Sequence, residues 1–311
     1  MRIAVAGCAG FIGYHLTERL LREGAAVVGL DDLSSGQQAN VTDLKAAFPQ
    51  FTFVQQDVSK AIAVEGGFDF VYDLACPASP ADFKSKSMHI LAVCSQGVWN
   101  LLDLARRSKA RFFHASTSEV YGDPLEHPQR EEYWGHVNTI GERACYDEGK
   151  RFAEALISSY RRAHGLETRM ARIFNTYGPR MRNDDGRALP NFITQALHGE
   201  PITIHGDGSQ TRSFCYVDDL VDGLIRLSRS DCAEPVNIGN PEEITILEFA
   251  RELIAMTGSK SRIEFVGRPQ DDPNRRKPDI SRARRVLGWE PRVSRQEGLR
   301  RTVEWFMARG V

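Results

Sequence analysis

Tyr146 and Lys150 stand four residues apart in the run Arg143-Ala144-Cys145-Tyr146-Asp147-Glu148-Gly149-Lys150-Arg151. Four residues is about one helical turn, so on a helix both side chains leave the same face. A phenol titrates near pH ~10 and is a poor base at neutral pH. An ammonium group beside it, joined by the positive charge of a bound cofactor, favours the phenolate and makes Tyr146 a base for an alcohol proton. A second cluster, Ser116-Thr117-Ser118-Glu119, collects hydroxyls and one carboxylate at the end of an apolar run. A Tyr-x-x-x-Lys pair is common on helices. It acquires meaning only if the surrounding elements bring both clusters to one place.

Those elements begin at the amino terminus. Residues 2–6 read as a short buried parallel strand that empties into Gly7-Cys8-Ala9-Gly10-Phe11-Ile12-Gly13. A helix follows, with Leu16, Leu20 and Leu21 on one face, and then a second strand over 26–30 that ends at Asp31. The glycines permit a tight turn and close approach of a pyrophosphate, and the helix start supplies amide donors. Asp31 follows Gly13 by 18 residues, where an acid can bind ribose hydroxyls and repel a 2′-phosphate. NAD is therefore expected in preference to NADP.

The alternation continues with strands at 51–54, 68–75, 111–115 and 168–174 and with helices at about 84–107 and 144–164. Asp57 and Val58 follow the third strand, beside the expected adenine. This order predicts an α/β chain with a Rossmann-like doubly wound parallel sheet, with ligands at the carboxyl ends of the strands. Thr117 and the Tyr146 helix then meet at those ends. After residue 174 the pattern changes to short strands at 201–204 and 263–266 and helices near 188–199, 245–257 and 295–309. The expected division is a dinucleotide-binding domain over 1–174, with a returning segment at about 211–235, and a smaller α+β substrate lobe over 175–210 and 236–311. Arg275-Arg276-Lys277 lies in a proline-flanked loop. It is either solvated or, with Arg180, Arg187 and Arg212, available to a diphosphate and a carboxylate.

Composition narrows the function classes. The formal net charge of the 311 residues is −1, so no global field draws nucleic acid or an anionic membrane. No apolar run approaches bilayer length. The six cysteines, at 8, 76, 94, 145, 215 and 232, form no C-x-x-C pair and have no companion histidines at ligand spacing. Reduced thiols without a metal are expected. A strand beginning at Arg2 leaves no room for a signal or transit peptide, so a cytoplasmic location is expected.

The chain resembles extended short-chain dehydrogenase/reductases through its G-x-x-G-x-x-G turn, Thr117 and the Tyr146/Lys150 pair. More narrowly it resembles the UDP-glucuronate decarboxylase family. The stretches that carry this likeness are Ser116 through Pro124, Tyr133-Trp134-Gly135-His136-Val137-Asn138, Arg143 through Arg151, Ala171 through Thr176, Gly208 through Arg212, Asp271-Asp272-Pro273 and Arg276-Lys277-Pro278-Asp279. The resemblance implies that Tyr146 takes the proton of the sugar C4 hydroxyl, that Lys150 holds the nicotinamide ribose, and that Thr117 hydrogen-bonds the same hydroxyl. Oxidation at C4 makes the C6 carboxylate β to a ketone, so carbon dioxide can leave an enolate that is reprotonated at C5. Ser118, Glu119 and Arg276 are implied around that carboxylate. Ser118 stands where related 4,6-dehydratases carry an aspartate, which disfavours dehydration. Leu74 and Ala75 are implied cofactor contacts, and Pro77 and Asn175 substrate contacts.

Several positions depart from the family pattern. Thr139 and Glu142 replace prolines, Cys76 a serine and His205 a tyrosine, and the segment around Gln37 lacks the usual basic residues. The alternatives are a UDP-glucuronate 4-epimerase, a nucleotide-sugar 4,6-dehydratase and a non-catalytic NAD-binding sensor. A homodimer through the helices near 84–107 and 144–164 is implied by the same likeness.

Overall fold

Strand β1, Arg2–Ala6, is buried from Ile3 onward, as an apolar run covered on both faces must be. It pairs in parallel with β2 (Ala26–Asp31) on one side and with β4 (Phe70–Asp73) on the other, while β3 (Phe51–Gln55) extends the sheet beyond β2. Beyond β4 lie β5 (Arg111–Thr117) and β6 (Thr168–Ile173), and Val236–Ile238 closes that edge, for seven parallel strands in all. The chain turns from one side of β1 to the other between β3 and β4. The crevice at the carboxyl ends of β1 and β4 is therefore the topological switch point, where such sheets bind ligands. This computed structural model describes residues 1–268 and 271–310. The expected doubly wound fold is present.

The helix that carries Tyr146 spans Ala144–His164 and ends in a left-handed glycine, Gly165, at φ +64°. The helix expected at 84–107 is divided. Ser79 caps a short helix, Pro80–Phe83, by accepting from the Ala81 amide with proline at its first turn, and a new start follows at Ser87–Ala92. A wide π-turn, Val93–Gly97, then leads into Val98–Ser108.

The smaller lobe contains helices Ala188–His198, Ile246–Thr257 and Arg295–Ala308 and the parallel pair Ile202–His205 with Ile263–Val266. Within the returning segment expected at about 211–235, helix Val217–Arg229 packs against β5 and β6, and the two ends of the segment fall elsewhere. Thr211–Ser213 pairs with Glu243–Thr245 and Arg275–Arg276 in a separate three-stranded sheet of the lobe, whereas Val236–Ile238 joins the central sheet beside β6. Arg275-Arg276 is thus strand and not a solvated loop.

Two buried residues tie the lobe to helix Val217–Arg229, which packs against the central sheet. Trp289 donates from its indole nitrogen to the Asp219 carbonyl at 3.0 Å, and the Asp219 carboxylate accepts from the amides of Arg292 and Val293 at 2.9 and 2.8 Å.

Candidate active site

The glycine turn is built for close backbone approach. Gly7 has φ +83°, and a Cβ placed there would lie 2.6 Å from the Leu74 carbonyl carbon across the switch point. A Cβ on Gly13 would lie 1.8 Å from the Gly7 oxygen. The helix that follows, Phe11–Arg22, has no side chain capping its first amides, so these point into the crevice with the positive end of the helix dipole. The Asp31 carboxylate secures the turn from behind, accepting from the Ala9 and Leu33 amides at 2.9 Å each. A phosphate-bearing dinucleotide fits this cradle.

A cavity of ≈ 400 Å³ runs from this turn to the smaller lobe. Gly7, Gly10, Phe11, Ile12, Gly13 and Leu74 line it, together with Thr117, Ser118, Glu119, Tyr146 and Lys150. Four expected cofactor residues do not. Asp31 is buried behind the turn, Ala75 lies beyond Leu74, Val58 belongs to the core under the sheet, and Asp57 turns its carboxylate onto the Ser59 amide and hydroxyl at 2.8 and 2.7 Å.

Tyr146 is 7% exposed and stacks on Phe83, ring centroids 5.2 Å apart. Burial pushes its phenol well above the ordinary range, and Lys150 and the Thr117 hydroxyl oppose that rise. The Lys150 ammonium donates to the Ala115 carbonyl at 2.8 Å. Burial works against its charge, but Cys76, Cys94, Tyr146 and Asp73 hold its pKa above the usual value.

The helix is fixed to the strand ends by residues that spacing alone did not single out. Glu154, one turn beyond Lys150, accepts from Ser116 Oγ at 2.6 Å. It also accepts a two-pronged contact from Arg172 Nε and Nη2 at 2.9 and 2.7 Å. Because Ser116 precedes Thr117 on β5 and Arg172 lies on β6, this cluster sets the distance between the Tyr146 helix and Thr117.

Thr117 Oγ1 accepts from the Glu119 amide at 3.2 Å and starts a short 3₁₀ turn, Ser118–Tyr121. That turn presents Glu119 to two arginines. Arg143 Nη2 donates to Glu119 Oε2 at 2.7 Å and Arg276 Nη2 donates to the same oxygen at 3.2 Å. Burial raises the Glu119 pKa, but Arg276 and Arg143 outweigh it and bring the carboxyl down to about 2.

Arg276 is 1% exposed and does not line the cavity. It donates to the Ser118 carbonyl and to the Gly122 carbonyl, the latter at 3.0 Å, from the wall behind Glu119. The arginine that lines the cavity beside Glu119 is Arg143. Its position, three residues before Tyr146 and so on the same helical face, is the sequence signal that identifies it.

Asn175, Arg180, Arg187 and Arg212 also line the cavity, with His205 at the lobe end, whereas Pro77 is buried outside it. Arg187 pairs with Asp185 at 2.8 Å and Arg212 with Asp272 at 2.8 Å. Arg180 sits at the glycine-turn end and not with the other substrate candidates. Its guanidinium lies 3.8 Å over the Tyr14 ring and pairs with Asp43 at 2.7 Å, and its carbonyl accepts from Gln37 Nε2 at 2.9 Å. A cation is thereby present at the phosphate end even though the segment around Gln37 has none.

The family model described as GDP-mannose 4,6 dehydratase matches residues 4–302. UDP-glucuronic acid decarboxylase 1 of Danio rerio is 50% identical over 305 residues, 98% of this chain and 72% of that protein. UDP-glucuronic acid decarboxylase 3 of Arabidopsis thaliana is 50% identical over 310 residues, 99% of this chain and 90% of that protein. Among solved structures, UDP-glucuronic acid 4-epimerase from Bacillus cereus in complex with UDP-glucuronic acid and NAD is similar at TM-score 0.88 and 28% identity, covering 99% of both chains. The dTDP-glucose 4,6-dehydratase from Streptomyces venezuelae with NAD bound is similar at TM-score 0.91 and 29% identity, over 100% of this chain and 98% of that one. With half its residues identical to these decarboxylases along almost its whole length, the chain belongs to the UDP-glucuronic acid decarboxylase family of the extended short-chain dehydrogenase/reductases.

Proposed function

We infer that this protein converts UDP-glucuronate to UDP-xylose and carbon dioxide with NAD as a retained catalytic cofactor. The observation that carries this reading is the full-length identity to the decarboxylases, in a chain whose cavity sets Glu119 and Arg143 beside Tyr146. NAD, when bound, supplies an acceptor for the hydrogen at sugar C4 and returns it once the carboxylate has gone.

Everything else falls to the residues of the chain. Tyr146 accepts the proton of the C4 hydroxyl, and Thr117 orients that hydroxyl. Burial raises the phenol, so the base forms when Lys150 acts together with the positive charge of the oxidised nicotinamide. With C4 as a ketone, the C6–C5 electron pair moves into the enolate as carbon dioxide departs. Ser118 adds no second negative charge next to the departing carboxylate, and Arg143 offers it a counter-charge. The C5 carbon then takes one proton. Because two guanidiniums keep Glu119 ionised, Glu119 serves as an acceptor that holds the proton-bearing water or hydroxyl at C5.

Incubation of the purified protein with UDP-glucuronate, followed by mass spectrometry of the sugar nucleotide, tests the assignment. Loss of the mass of carbon dioxide is expected. An unchanged mass with NAD present overturns the reading and leaves a 4-epimerase or a sensor, which NMR of the sugar separates. Loss of water instead identifies a dehydratase.

We further propose that the protein is a homodimer. Met88, Trp99 and Phe152 are 77%, 48% and 51% exposed on the helices Ser87–Ala92, Val98–Ser108 and Ala144–His164, an apolar face suited to a second copy. Light scattering at micromolar concentration should give twice the chain mass, and a monomer mass overturns the proposal. A cytoplasmic location is also proposed; fractionation that finds the protein in another compartment overturns it. No helix among the described residues is long and apolar enough to cross a membrane.

A further inference from the structure

Cys76 and Cys94 are 18 residues apart in sequence, yet their sulfur atoms lie 3.6 Å from each other beside the catalytic tyrosine and lysine. We propose that these two thiols form a reversible modification site, in which oxidation by a peroxide or a small disulfide joins them and shuts down the active site.

The fold creates the pair in two steps. Cys94 sits in the wide π-turn Val93–Gly97 and faces Gly149 of the Tyr146 helix, where an added Cβ would lie 3.1 Å from the Cys94 Cβ and 3.2 Å from its sulfur. The missing side chain at Gly149 is the notch that lets Cys94 approach. Cys76 arrives from the other side, on the loop that follows β4, and it lines the cavity, whereas Cys94 does not. A disulfide needs the sulfurs at about 2.05 Å, so the atoms must close by roughly 1.5 Å. Cys94 is buried on a helix packed against a helix, so the movement falls on the Cys76 loop, which also contributes Leu74, Ala78 and Ser79 to the cavity wall. A shift of that size in a wall facing Tyr146 is enough to spoil reaction geometry.

The electrostatics suit exchange chemistry. A hydrogen bond from Cys76 and the charge of Lys150 pull the Cys94 thiol below its usual range, while the same hydrogen bond and burial push Cys76 up. The pair therefore shares one proton, and the Lys150 ammonium stabilises the thiolate left when that proton is lost. The chemistry balances with either oxidant. With a small disulfide, the Cys76 sulfur, which lines the cavity, attacks once its proton has passed to Cys94, forms a mixed disulfide and releases one thiolate that takes that proton back. The Cys94 thiolate then attacks the Cys76 sulfur, forms the internal bond and expels the second thiol. With a peroxide, Cys76 becomes a sulfenic acid and releases water, and attack by Cys94 releases a second water. Each route oxidises two thiols to one disulfide and reduces one molecule of oxidant.

The decarboxylase reading enters this proposal only through the activity readout. The test treats the purified protein with oxidised glutathione, maps the thiols by peptide mass spectrometry and assays decarboxylation. In the wild type, peptides containing Cys76 and Cys94 should be joined, activity should fall on the order of tenfold to a hundredfold, and dithiothreitol should restore both. Cys94→Ser should instead trap a glutathione adduct on Cys76. Cys76→Ser should leave Cys94 unmodified and keep its own untreated activity through the treatment. Free Cys76 and Cys94 after treatment, a stable glutathione adduct without the internal bond in the wild type, or full activity with the bond formed each overturn the proposal. If the protein proves inactive towards UDP-glucuronate, the peptide map alone decides whether the thiol site exists.

Discussion

Arg143 stands at the amino end of the Tyr146 helix and reaches Glu119, its Nη2 donating to Oε2 at 2.7 Å. The contact joins the helix that carries the base to the turn that faces the sugar carboxylate, so the two halves of the reaction share one rigid support. Glu119→Gln breaks the charge match while keeping the shape. It should lower kcat for decarboxylation by about 10²–10³ and leave NAD bound. It should also destabilise the fold by about 3 kcal/mol, because Arg276 and Arg143 lose their counter-charge. Denaturant melts and steady-state kinetics read the two effects separately. A variant with wild-type turnover would remove Glu119 from the chemistry.

Tyr146→Phe removes only the ionising oxygen. The ring keeps its stack on Phe83, so the fold and the cofactor site should be untouched. Turnover should fall by at least about 10³, with NAD affinity by calorimetry within about threefold of wild type. Retained turnover would assign the proton to another group.

What was legible in the sequence and what was not divides along sequence separation. The glycine turn, β1, β2 and the Tyr146 helix were readable because their residues act locally: glycines at a turn, apolar runs, a pair one helical turn apart. Thr117 and Glu119 were readable because a strand end locates them. Arg276 was harder. Its partner strand, Thr211–Ser213, lies some 60 residues earlier and pairs with it in parallel, and no local pattern records that pairing. The burial of Arg276 behind Glu119 follows from that pairing, whereas Arg143 is placed by the start of the Tyr146 helix. Glu154 and Arg172 were missed for the same reason, since the two residues and Ser116 come from three elements that meet only in the folded sheet.

Asp147 provides a prediction on pH. Burial and the charge of Glu119 raise its carboxyl to about 7 from an ordinary 3.8. The unfolded chain therefore releases this proton first, and between about pH 4 and pH 7 a rising pH favours unfolding through this group. Below pH 4 the group is protonated in both states and has no effect. Asp147→Asn mimics the protonated form at every pH. The unfolding temperature of the variant minus that of wild type should thus be near zero at pH 4 and should increase by several degrees, about 2–4 °C per kcal/mol, at pH 8. A difference that stays flat from pH 4 to pH 8 would show that Asp147 ionises normally in the folded protein.

The cofactor cradle is tested at Gly13. Its missing side chain lets the first turn of the helix Phe11–Arg22 sit against the Gly7 carbonyl, and a methyl group there would be 1.8 Å from that backbone oxygen. Backbone on both sides cannot yield as a side-chain tip can, so the turn must open and the amides that face a pyrophosphate must diverge. Gly13→Ala should weaken NAD binding by at least about a hundredfold, or about 2.7 kcal/mol. Gly67→Ala is the control, because its added methyl meets nothing within 4 Å, and it should bind NAD as wild type does. Titration of the cofactor by calorimetry, with circular dichroism confirming that both variants fold, reads the comparison. Equal affinity in the two variants would mean that the glycine turn does not hold the dinucleotide.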